Sequence, residues 1–352
     1  MIPVFRPTIK RADMDAVLTR LAEDSIGSGV LAAEFSQKLA RYLNRRSGIS
    51  MRSYGQAFSA AITALGLEQG ARVGCSVLAP ERVYRLIRKH GFEPVPIDSQ
   101  KMLPILPSPL DVDYEAMNLA ALYVDTRLGY IPDIGNLTQL KIPVLEDVSE
   151  GLGGNNGSVM VGSVGDMTLI GLEPEHIITT GGGAVVVTNN SRRVNALGTA
   201  TDGTEGELPL PDMNAALGLT QLKNLERFIE RRRELAARFL RVVQRTRHSL
   251  PMQTGEAENV FYGLPLIVDS SPREIEQYAR SHGVTVVRAF SDAMLYGLTS
   301  TNDNNEALSD ETIPRLYPNA VSIAGRTVLF PLFPTLTKSD QDRIERVLAT
   351  IP

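Results

Sequence analysis

Between residues 70 and 98 the sequence has a strand-like pattern, then a helical pattern, then a second strand-like pattern. This alternation limits the possible folds more than any other feature of the chain. An apolar run, ARVGCSVLA, precedes an amphipathic stretch, ERVYRLIRKHG, and a second extended run, EPVPID, follows. Strands that alternate with helices form parallel sheets covered on both faces. Further runs have the length of buried strands, at 119–124, 143–146, 167–172 and 184–188. The sequence therefore predicts an α/β protein with a mainly parallel sheet.

The chain is long enough for two domains. Its 352 residues suit one large domain with an ample core and one smaller domain. Residues 221–243 have an apolar face with a 3.6-residue period, which predicts one long amphipathic helix near the end of the first part. We therefore predict a large domain over residues 1–240 and a small C-terminal domain over residues 241–352.

Composition and charge narrow the classes of partner. The formal net charge is −4, which gives no electrostatic footprint for nucleic acid or for an anionic membrane. No apolar run reaches the roughly 20 residues that span a bilayer, and the N-terminal residues lack the apolar core of a signal peptide. The single cysteine, Cys75, excludes an internal disulfide framework and suits a reducing compartment. We therefore predict a cytoplasmic protein that binds neither nucleic acid nor membrane.

Three short segments have the features of ligand-binding loops. Three consecutive glycines, Gly181–Gly183, separate two predicted strands, and His176 lies shortly before them. Such a run lets the backbone turn tightly and approach a ligand closely. Asp147 and Glu150 follow another predicted strand, and ligands of open α/β sheets bind beyond strand carboxyl ends. The dipeptide Gly55-Gln56 lies where a loop enters a helix, and the N–H groups of a helix N-terminus favour phosphate.

In number, order and spacing, these segments resemble the DegT/DnrJ/EryC1/StrS family of sugar aminotransferases, which use pyridoxal phosphate (PLP). The lysine segment of that family reads roughly S-F-x-x-x-K-x-[IL]-T-T-G-E-G-G, and Ile178-Thr179-Thr180-Gly181 and Gly183 match it. The resemblance extends from near residue 2 to near residue 350. It implies the aspartate aminotransferase-like fold type I of PLP-dependent transferases. This fold has a three-layer α/β/α large domain and a smaller C-terminal α/β domain.

The resemblance also implies roles for individual residues. Asp147 falls at the aspartate that pairs with the pyridine nitrogen of PLP and keeps it protonated. Gly55 and Gln56 fall in the segment that holds the cofactor phosphate. Gly171 falls at a phosphate-binding serine, and Glu150 at a position near the phenolic oxygen of the cofactor, where its charge would be repulsive.

His176 falls at the Schiff-base lysine, and this changes the expected chemistry. Imidazole cannot form an imine with PLP, but it can move a proton near neutral pH. Pro80 and Gly182 fall at two further family positions, an aromatic that stacks on the PLP ring and a glutamate. We therefore expect PLP, or its amine form PMP, to bind weakly or to be absent. We predict no metal ion.

Three interpretations of function follow from these substitutions. In the first, the chain is an inactive or altered family member that binds a nucleotide sugar or pairs with an active homologue. In the second, it is a lysine-independent nucleotide-keto-sugar dehydratase that uses His176 as its base. In the third, it is an ordinary sugar aminotransferase. The missing contacts at Pro80, Gly171 and Gly182 favour the first.

The resemblance implies a homodimer as well, because family sites are built across a two-fold interface, and two-fold dimers are the commonest oligomers. Residues 189–207 are polar and glycine-rich, and we predict a loop there. In the family the corresponding loop is longer and reaches toward the site of the partner subunit. The shorter loop predicts a more open pocket in this chain.

Overall fold

The computed structural model describes residues 1–201, 209–251, 253, 256–298, 309 and 311–352, with the backbone alone for 199–201. The helices, in chain order, are α1 (Arg11–Ala22), α2 (Val30–Tyr42), α3 (Tyr54–Ala64), α4 (Glu81–Lys89), α5 (Ile134–Leu137), α6 (Ser191–Thr201), α7 (Asp212–Lys223), α8 (Leu225–Val243), α9 (Pro272–Ser281), α10 (Met294–Gly297), α11 (Ile313–Leu316), α12 (Pro318–Arg326) and α13 (Lys338–Thr350). A single 3₁₀ turn covers Arg127–Gly129.

The strands, in chain order, are β1 (Ser47–Met51), β2 (Arg72–Ser76), β3 (Glu93–Ile97), β4 (Ala121–Asp125), β5 (Val144–Asp147), β6 (Asn155–Asn156), β7 (Val159–Met160), β8 (Met167–Gly171), β9 (Ala184–Thr188), β10 (Ala257–Glu258), β11 (Leu264–Ile267), β12 (Val287–Arg288) and β13 (Thr327–Phe330). Seven of them form one sheet in the order β1-β9-β8-β5-β4-β2-β3. Neighbouring strands from β3 through β8 pair in parallel, and β9 is antiparallel to both of its neighbours. The predicted mainly parallel sheet is confirmed.

The central strands of this sheet are mostly apolar, and they are buried along their whole length. Every residue of β4 (ALYVD), β8 (MTLIG) and β9 (AVVVT) is buried. Helices α2, α3 and α4 pack on the sheet. Strands covered in this way read as continuous apolar runs and not as alternating patterns. The same burial means that the polar residues at the strand ends, Asp125 and Asp147, enter a low-dielectric environment.

The C-terminal residues build a second sheet and a second core. Strands β11, β13 and β12 form an antiparallel sheet in that order. Its apolar residues pack with the second half of α8, where Leu235, Ala236 and Phe239 are buried in the same cluster. The domain boundary predicted at residue 240 falls within α8. Phe290 and Met294 pack into the core of the first sheet, so the C-terminal part contributes to both cores.

Two predicted elements were wrong in detail. The helix predicted over 221–243 is two helices, because Asn224 ends α7 and begins α8 with φ −104° and ψ 2°. The loop predicted over 189–207 is helical from residue 191 to residue 201. Asn190 starts that helix, since its Oδ1 accepts the Arg192 N–H (3.0 Å), and Leu197 anchors it in the core. The remainder of that segment, 202–207, lies outside the described residues.

Within the part of the chain that the structure describes, no helix has both the length and the apolar character needed to cross a membrane.

Candidate functional site

The candidate site lies at the carboxyl ends of β4 and β5. The last residues of these strands, Asp125 and Asp147, are opposite each other in the parallel register. Asp147 lies in turn opposite Leu169 of β8, and the chain beyond β8 carries His176. In open α/β sheets this edge is the usual place of ligand binding. The fold therefore brings Asp147 and His176 to one edge of the sheet.

The Asp147 carboxylate already accepts four hydrogen bonds from the chain itself. Its Oδ2 accepts from the hydroxyls of Tyr54 (2.6 Å) and Tyr123 (2.8 Å). Its Oδ1 accepts from the backbone N–H (2.9 Å) and the hydroxyl of Ser149. A carboxylate has about four lone-pair sites. Asp147 therefore has no acceptor position left for a ligand N–H. We call Asp147, Tyr54, Tyr123 and Ser149 the Asp147 cradle.

The Tyr54 ring is held in the cradle from several sides. Tyr54 is the first residue of α3, and it is 3% exposed. The guanidinium of Arg82, on α4, lies over the Tyr54 ring at 4.1 Å from the centroid. Phe58, one turn along α3, has its ring centre 6.2 Å from that of Tyr54 and 5.9 Å from that of Tyr123. Burial and the nearby Asp147 charge raise the pKa of both tyrosines, so both hydroxyls stay protonated and donate.

Little free space remains beside the cradle. The cavity bordered by Arg82, Asp125, Arg127 and Asp147 has a volume of about 20 Å³, which is room for about one water molecule. A pyridine ring needs both more volume and a free carboxylate oxygen. The residues at Asp147 therefore do not fit the cofactor that the resemblance implies. Within the described residues, no group of three or more His, Cys, Asp or Glu is arranged to hold a metal ion.

The predicted phosphate seat is present as a helix start. Ser53 caps α3, and its hydroxyl accepts the backbone N–H of Gln56 (3.2 Å). Gly55 faces open space, with nothing within 4 Å of the position that a Cβ would take. The side-chain Oε1 of Gln56 is buried and has no hydrogen-bond partner among the described residues. The capping serine thus uses one of the N–H groups that a phosphate would need.

His176 is buried against Gly171. A Cβ on Gly171 would lie 2.6 Å from His176 Cε1 and 2.8 Å from Ser149 Oγ, so the imidazole needs a glycine there. The Nδ1 atom of His176 accepts the backbone N–H of Glu173 (3.1 Å), and the backbone N–H of His176 donates to the Glu173 carbonyl (3.0 Å). In the neutral ring the proton then lies on Nε2. The lone pair that a general base would use is therefore engaged within a local turn.

Burial lowers the pKa of His176, although the Glu175 and Asp147 carboxylates act in the opposite direction. The positive charge of Arg82 adds to the lowering. His176 is consequently a neutral imidazole at pH 7. It lies beside Tyr262, with ring centres 6.4 Å apart.

Glu150, three residues beyond Asp147, belongs to a network of ion pairs around Arg127. Glu150 Oε1 accepts from Nη1 of Arg127 (2.9 Å), and its Oε2 accepts the Leu128 N–H (2.5 Å). Nη2 of Arg127 donates to Asp292 Oδ1 (2.8 Å). Burial acts to lower the pKa of Arg127, but the Glu150 and Asp292 carboxylates outweigh it and raise that pKa. The repulsive charge predicted at Glu150 is thus neutralised by a buried arginine that the sequence interpretation missed.

This ion pair lies at the wall of an open cleft. The cleft has a volume of about 430 Å³. Its charged lining residues are Arg127, Glu150, Glu175, Arg288 and Asp292. Apolar lining comes from both parts of the chain, for example from Leu128 and Leu329. We call this space the Arg127 cleft.

Asp125 differs from its neighbour Asp147, because neither of its carboxylate oxygens has a hydrogen-bond partner among the described residues. It is 5% exposed. Burial raises the pKa of Asp125 to about 8, with Arg127 opposing and Asp147 adding to the rise. Asp125 is therefore mostly protonated at pH 7, beside the small cavity.

The lysines lie away from this edge of the sheet. The sequence has seven, all in the described part of the chain: Lys10, Lys38, Lys89, Lys101, Lys141, Lys223 and Lys338. Six are exposed, and Lys10 is partly buried beside Phe228. None is among the lining residues of the Arg127 cleft or of the cavity beside Asp147.

The structure brings His176, Gly171 and Asp147 to one edge, with Ser149 between them, and it places Glu150 in the adjoining cleft. Their functional roles stay predictions. Sequence interpretation missed Tyr54, Tyr123 and Arg127. One signal was available for Tyr54, because this large aromatic residue immediately precedes Gly55 at the predicted start of a helix.

The chain has relatives of known class. The sequence profile of the DegT/DnrJ/EryC1/StrS aminotransferase family matches residues 7–349. The UDP-4-amino-4,6-dideoxy-N-acetyl-beta-L-altrosamine transaminase of Campylobacter jejuni is 26% identical over 264 residues, 67% of this chain and 68% of the relative.

Solved structures have the same fold. A putative sugar aminotransferase from Streptococcus pneumoniae in its PMP form superposes with a TM-score of 0.87 at 18% identity, over 99% of this chain and 97% of that one. A mutant of GDP-4-keto-6-deoxymannose-3-dehydratase with bound GDP-perosamine gives 0.83 at 18% identity, over 99% and 100% of the two chains. These matches confirm the predicted fold class, that of PLP-dependent sugar aminotransferases.

Proposed function

This chain belongs to the DegT/DnrJ/EryC1/StrS aminotransferase family, and we propose that it serves nucleotide-sugar or polysaccharide biosynthesis without ordinary transamination. One observation carries this proposal: no lysine lines the Arg127 cleft or the cavity beside Asp147. Transamination needs a primary amine that forms an imine with PLP. The residue that our alignment puts at the lysine position is His176, whose ring cannot supply one.

The cofactor is the second element of the proposal. The family members of known structure include PMP and PLP forms, whereas we propose that PLP binding is weak or absent in this chain. Support comes from the saturated Asp147 carboxylate and from the small cavity beside it. A lost hydrogen bond to a buried group costs about 1–3 kcal/mol, and about 1.4 kcal/mol is tenfold in affinity.

We propose that the ligand is a nucleotide sugar and that its sugar part enters the Arg127 cleft. The volume of about 430 Å³ lies in the range of small-molecule sites. The cleft offers charged groups of both signs, which suit the hydroxyl groups of a sugar. The Campylobacter jejuni relative is named for a UDP-linked amino sugar, and the dehydratase structure holds GDP-perosamine.

The test is a search for an imine. The purified protein is incubated with PLP, reduced with borohydride and analysed by peptide mass spectrometry, and a transaminase assay with glutamate and a UDP-keto-sugar runs in parallel. After unbound PLP has been removed, we expect no yellow absorption, no pyridoxyl adduct beyond the nonspecific labelling of the six exposed lysines, and no glutamate-dependent turnover. His176→Lys is the matched variant, because it returns an amine to the same position. A pyridoxyl adduct on any lysine of the unaltered protein, together with turnover, would refute the proposal.

A dehydratase that uses His176 as its base is the second candidate. The low pKa of His176 favours it, because a neutral imidazole can accept a proton. The engaged Nδ1 lone pair counts against it. Turnover of a nucleotide keto-sugar with added PMP, abolished by His176→Asn, would establish this candidate in place of the first. We expect no turnover in either protein.

We further propose a homodimer that works in the cytoplasm. Helix α1 supports the dimer, because its apolar residues Met14, Leu18 and Leu21 share one face and are 51%, 59% and 47% exposed. We expect a dimer mass in light scattering at micromolar concentration, and Leu18→Glu should reduce it. Leu110→Glu is the control, since Leu110 is 72% exposed on a loop. A monomer mass for the unaltered protein would contradict this part of the proposal.

A further inference from the structure

We infer that Tyr54 is a built-in occupant of the cofactor site: its phenol ring fills the space beside Asp147, so the chain closes that site with its own side chain. The inference concerns the site on which the proposed function rests, and it adds a cause to the proposed absence of the cofactor. It predicts that removal of one ring reopens the site.

The first argument is the hydrogen bond. A pyridinium ring would donate one N–H to the Asp147 carboxylate, and the Tyr54 hydroxyl donates to that carboxylate at 2.6 Å. Tyr123 donates to the same oxygen at 2.8 Å, so this oxygen holds two donors. The other oxygen is held by Ser149, whose hydroxyl also accepts the Gly171 N–H (2.7 Å). A ligand could reach Asp147 only by displacing one of these donors.

The second argument is the position of the ring. The Tyr54 ring has the Arg82 guanidinium over one face at 4.1 Å, which is a cation–π geometry. Tyr54 also has Phe58 and Tyr123 as neighbours, and all three rings are buried. The phenol thus has the contacts that a bound aromatic ligand would have.

The third argument is the electrostatics of the site without a ligand. A buried carboxylate with no partner is costly, and it shifts its pKa or finds donors. The adjacent Asp125 has no partner and a raised pKa, whereas Asp147 has four donors. The Asp147 carboxylate therefore has its donors without a ligand.

The test is a cavity complementation with pyridoxine. This probe has the pyridine ring but no aldehyde and no phosphate, so it reports on the ring site alone and forms no imine with lysine. Tyr54→Ala removes the phenol and leaves a space of its size beside Asp147. We expect millimolar pyridoxine to raise the Tm of Tyr54→Ala by at least about 2 °C and to leave the Tm of the unaltered protein unchanged.

Phe58→Ala is the matched control. It opens a space of similar size among the same rings, but Phe58 makes no hydrogen bond to Asp147. Pyridoxine should not stabilise this variant. If Tyr54→Ala does not fold, its yield of soluble protein on refolding is measured with and without pyridoxine, and we expect the probe to restore the yield.

Two results would overturn the inference. One is a rise in Tm with pyridoxine for the unaltered protein that disappears in Asp147→Ala, since the site would then be open. The other is a Tyr54→Ala variant that shows no response to pyridoxine, either in Tm or in refolding yield. Neither result bears on the proposed lack of transamination, which is tested separately by the search for a pyridoxyl-lysine adduct.

Discussion

The Asp147 cradle and the Arg127 cleft are neighbours beyond the end of β5, and they have opposite properties. Asp147 belongs to the cradle, and Glu150, three residues later in the chain, lines the cleft. In the cradle, a carboxylate is satisfied by neutral donors from Tyr54, Tyr123 and Ser149, and the free volume beside it is about 20 Å³. In the cleft, Arg127 pairs with Glu150 and Asp292 at the wall of an open space of about 430 Å³. A carboxylate whose acceptor positions are all occupied by donors of the same chain stabilises the fold, but it cannot accept a hydrogen bond from a ligand.

The comparison shows that a carboxylate at the expected position is not always free to bind a ligand. Asp147 lies at the strand end where a ligand is expected, yet its hydrogen bonds are taken. Asp292 lines the cleft, and its side chain is 55% exposed, so it can exchange partners with water or a ligand. We therefore propose that a ligand binds in the cleft and that the cradle stabilises the fold.

Asp147→Ala should give the largest loss of stability and so tests whether the cradle is structural. The substitution leaves the hydroxyls of Tyr54, Tyr123 and Ser149 without their acceptor in a buried environment. We expect the free energy of unfolding to fall by about 4 kcal/mol, measured by urea denaturation. The exposed Asp111→Ala is the control and should change it by less than about 0.5 kcal/mol. A loss under about 1 kcal/mol for Asp147→Ala would show that the cradle does not stabilise the fold.

Arg127→Met tests the buried ion pair between Arg127 and Glu150 at the wall of the cleft. The substitution keeps most of the apolar stem but leaves the Glu150 carboxylate, whose side chain is 16% exposed, without its cation. Breaking such a buried pair should cost about 3 kcal/mol in urea denaturation. Adding Glu150→Gln should return part of the loss, because it removes the unpaired charge. Additive losses in the double variant would contradict the pairing.

Asp125→Asn tests, through the pH dependence of the free energy of unfolding, whether Asp125 is buried without a hydrogen-bond partner, unlike Asp147. The folded-state pKa of Asp125 is about 8, above the unfolded value near 3.9. Its contribution to stability is therefore fully present below the unfolded pKa and is lost as the pH rises toward 8. Asparagine resembles the protonated acid and does not titrate. We expect the variant to gain about 2 kcal/mol relative to the unaltered protein between about pH 5 and about pH 6.5, since each pH unit in this window changes the difference by about 1.4 kcal/mol.

His176 also makes the stability depend on pH, but in the opposite direction to Asp125. Its folded-state pKa is lowered, so its contribution is present above its unfolded pKa and is lost as the pH falls. Both proteins contain His176, and the difference between their denaturation curves isolates Asp125. A difference that does not change with pH would show that Asp125 has an ordinary pKa.

Asp292→Asn should have the smallest effect and tests the open side of the cleft. The Arg127–Asp292 distance is short, 2.8 Å, but the carboxylate is more than half exposed. Exposed pairs contribute about 0–1 kcal/mol and are screened by salt. We expect a loss of under about 1 kcal/mol in urea denaturation that shrinks further at high salt. A loss equal to that of Arg127→Met would place Asp292, and not Glu150, as the main partner.

Much of the fold could be predicted from the sequence, because it depends on periodicity. The apolar runs at 119–124 and 184–188 are long enough to be buried strands, and the structure has strands at Ala121–Asp125 and Ala184–Thr188. The break at Asn224 could not be predicted in this way, since the apolar period continues across it and only the Asn224 backbone angles end the helix. The helix at 191–201 was missed because its polar composition hides the cap supplied by Asn190 and the burial of Leu197.

The site was harder to predict than the fold, because hydrogen bonds join residues far apart in the chain. Motif spacing places Asp147 and His176 at the sheet edge, but it does not show that Tyr54 and Tyr123, 93 and 24 residues away from Asp147, take its lone pairs. Arg127 was missed for a similar reason, since its two partners, Glu150 and Asp292, lie in different parts of the sequence. Pattern reasoning locates a carboxylate but does not show which side chains reach it.

The fit of His176 over Gly171 restricts the order in which substitutions can accumulate at this edge. With the imidazole in place, any β-carbon at residue 171 would lie 2.6 Å from His176 Cε1 and 2.8 Å from Ser149 Oγ. A serine at 171 therefore meets both the imidazole and the Ser149 hydroxyl, and it can enter only where residue 176 has changed and the Ser149 hydroxyl has moved. Positions 149, 171 and 176 are thus epistatic: a lineage or a laboratory selection that returns a serine to 171 has to change the other two contacts as well.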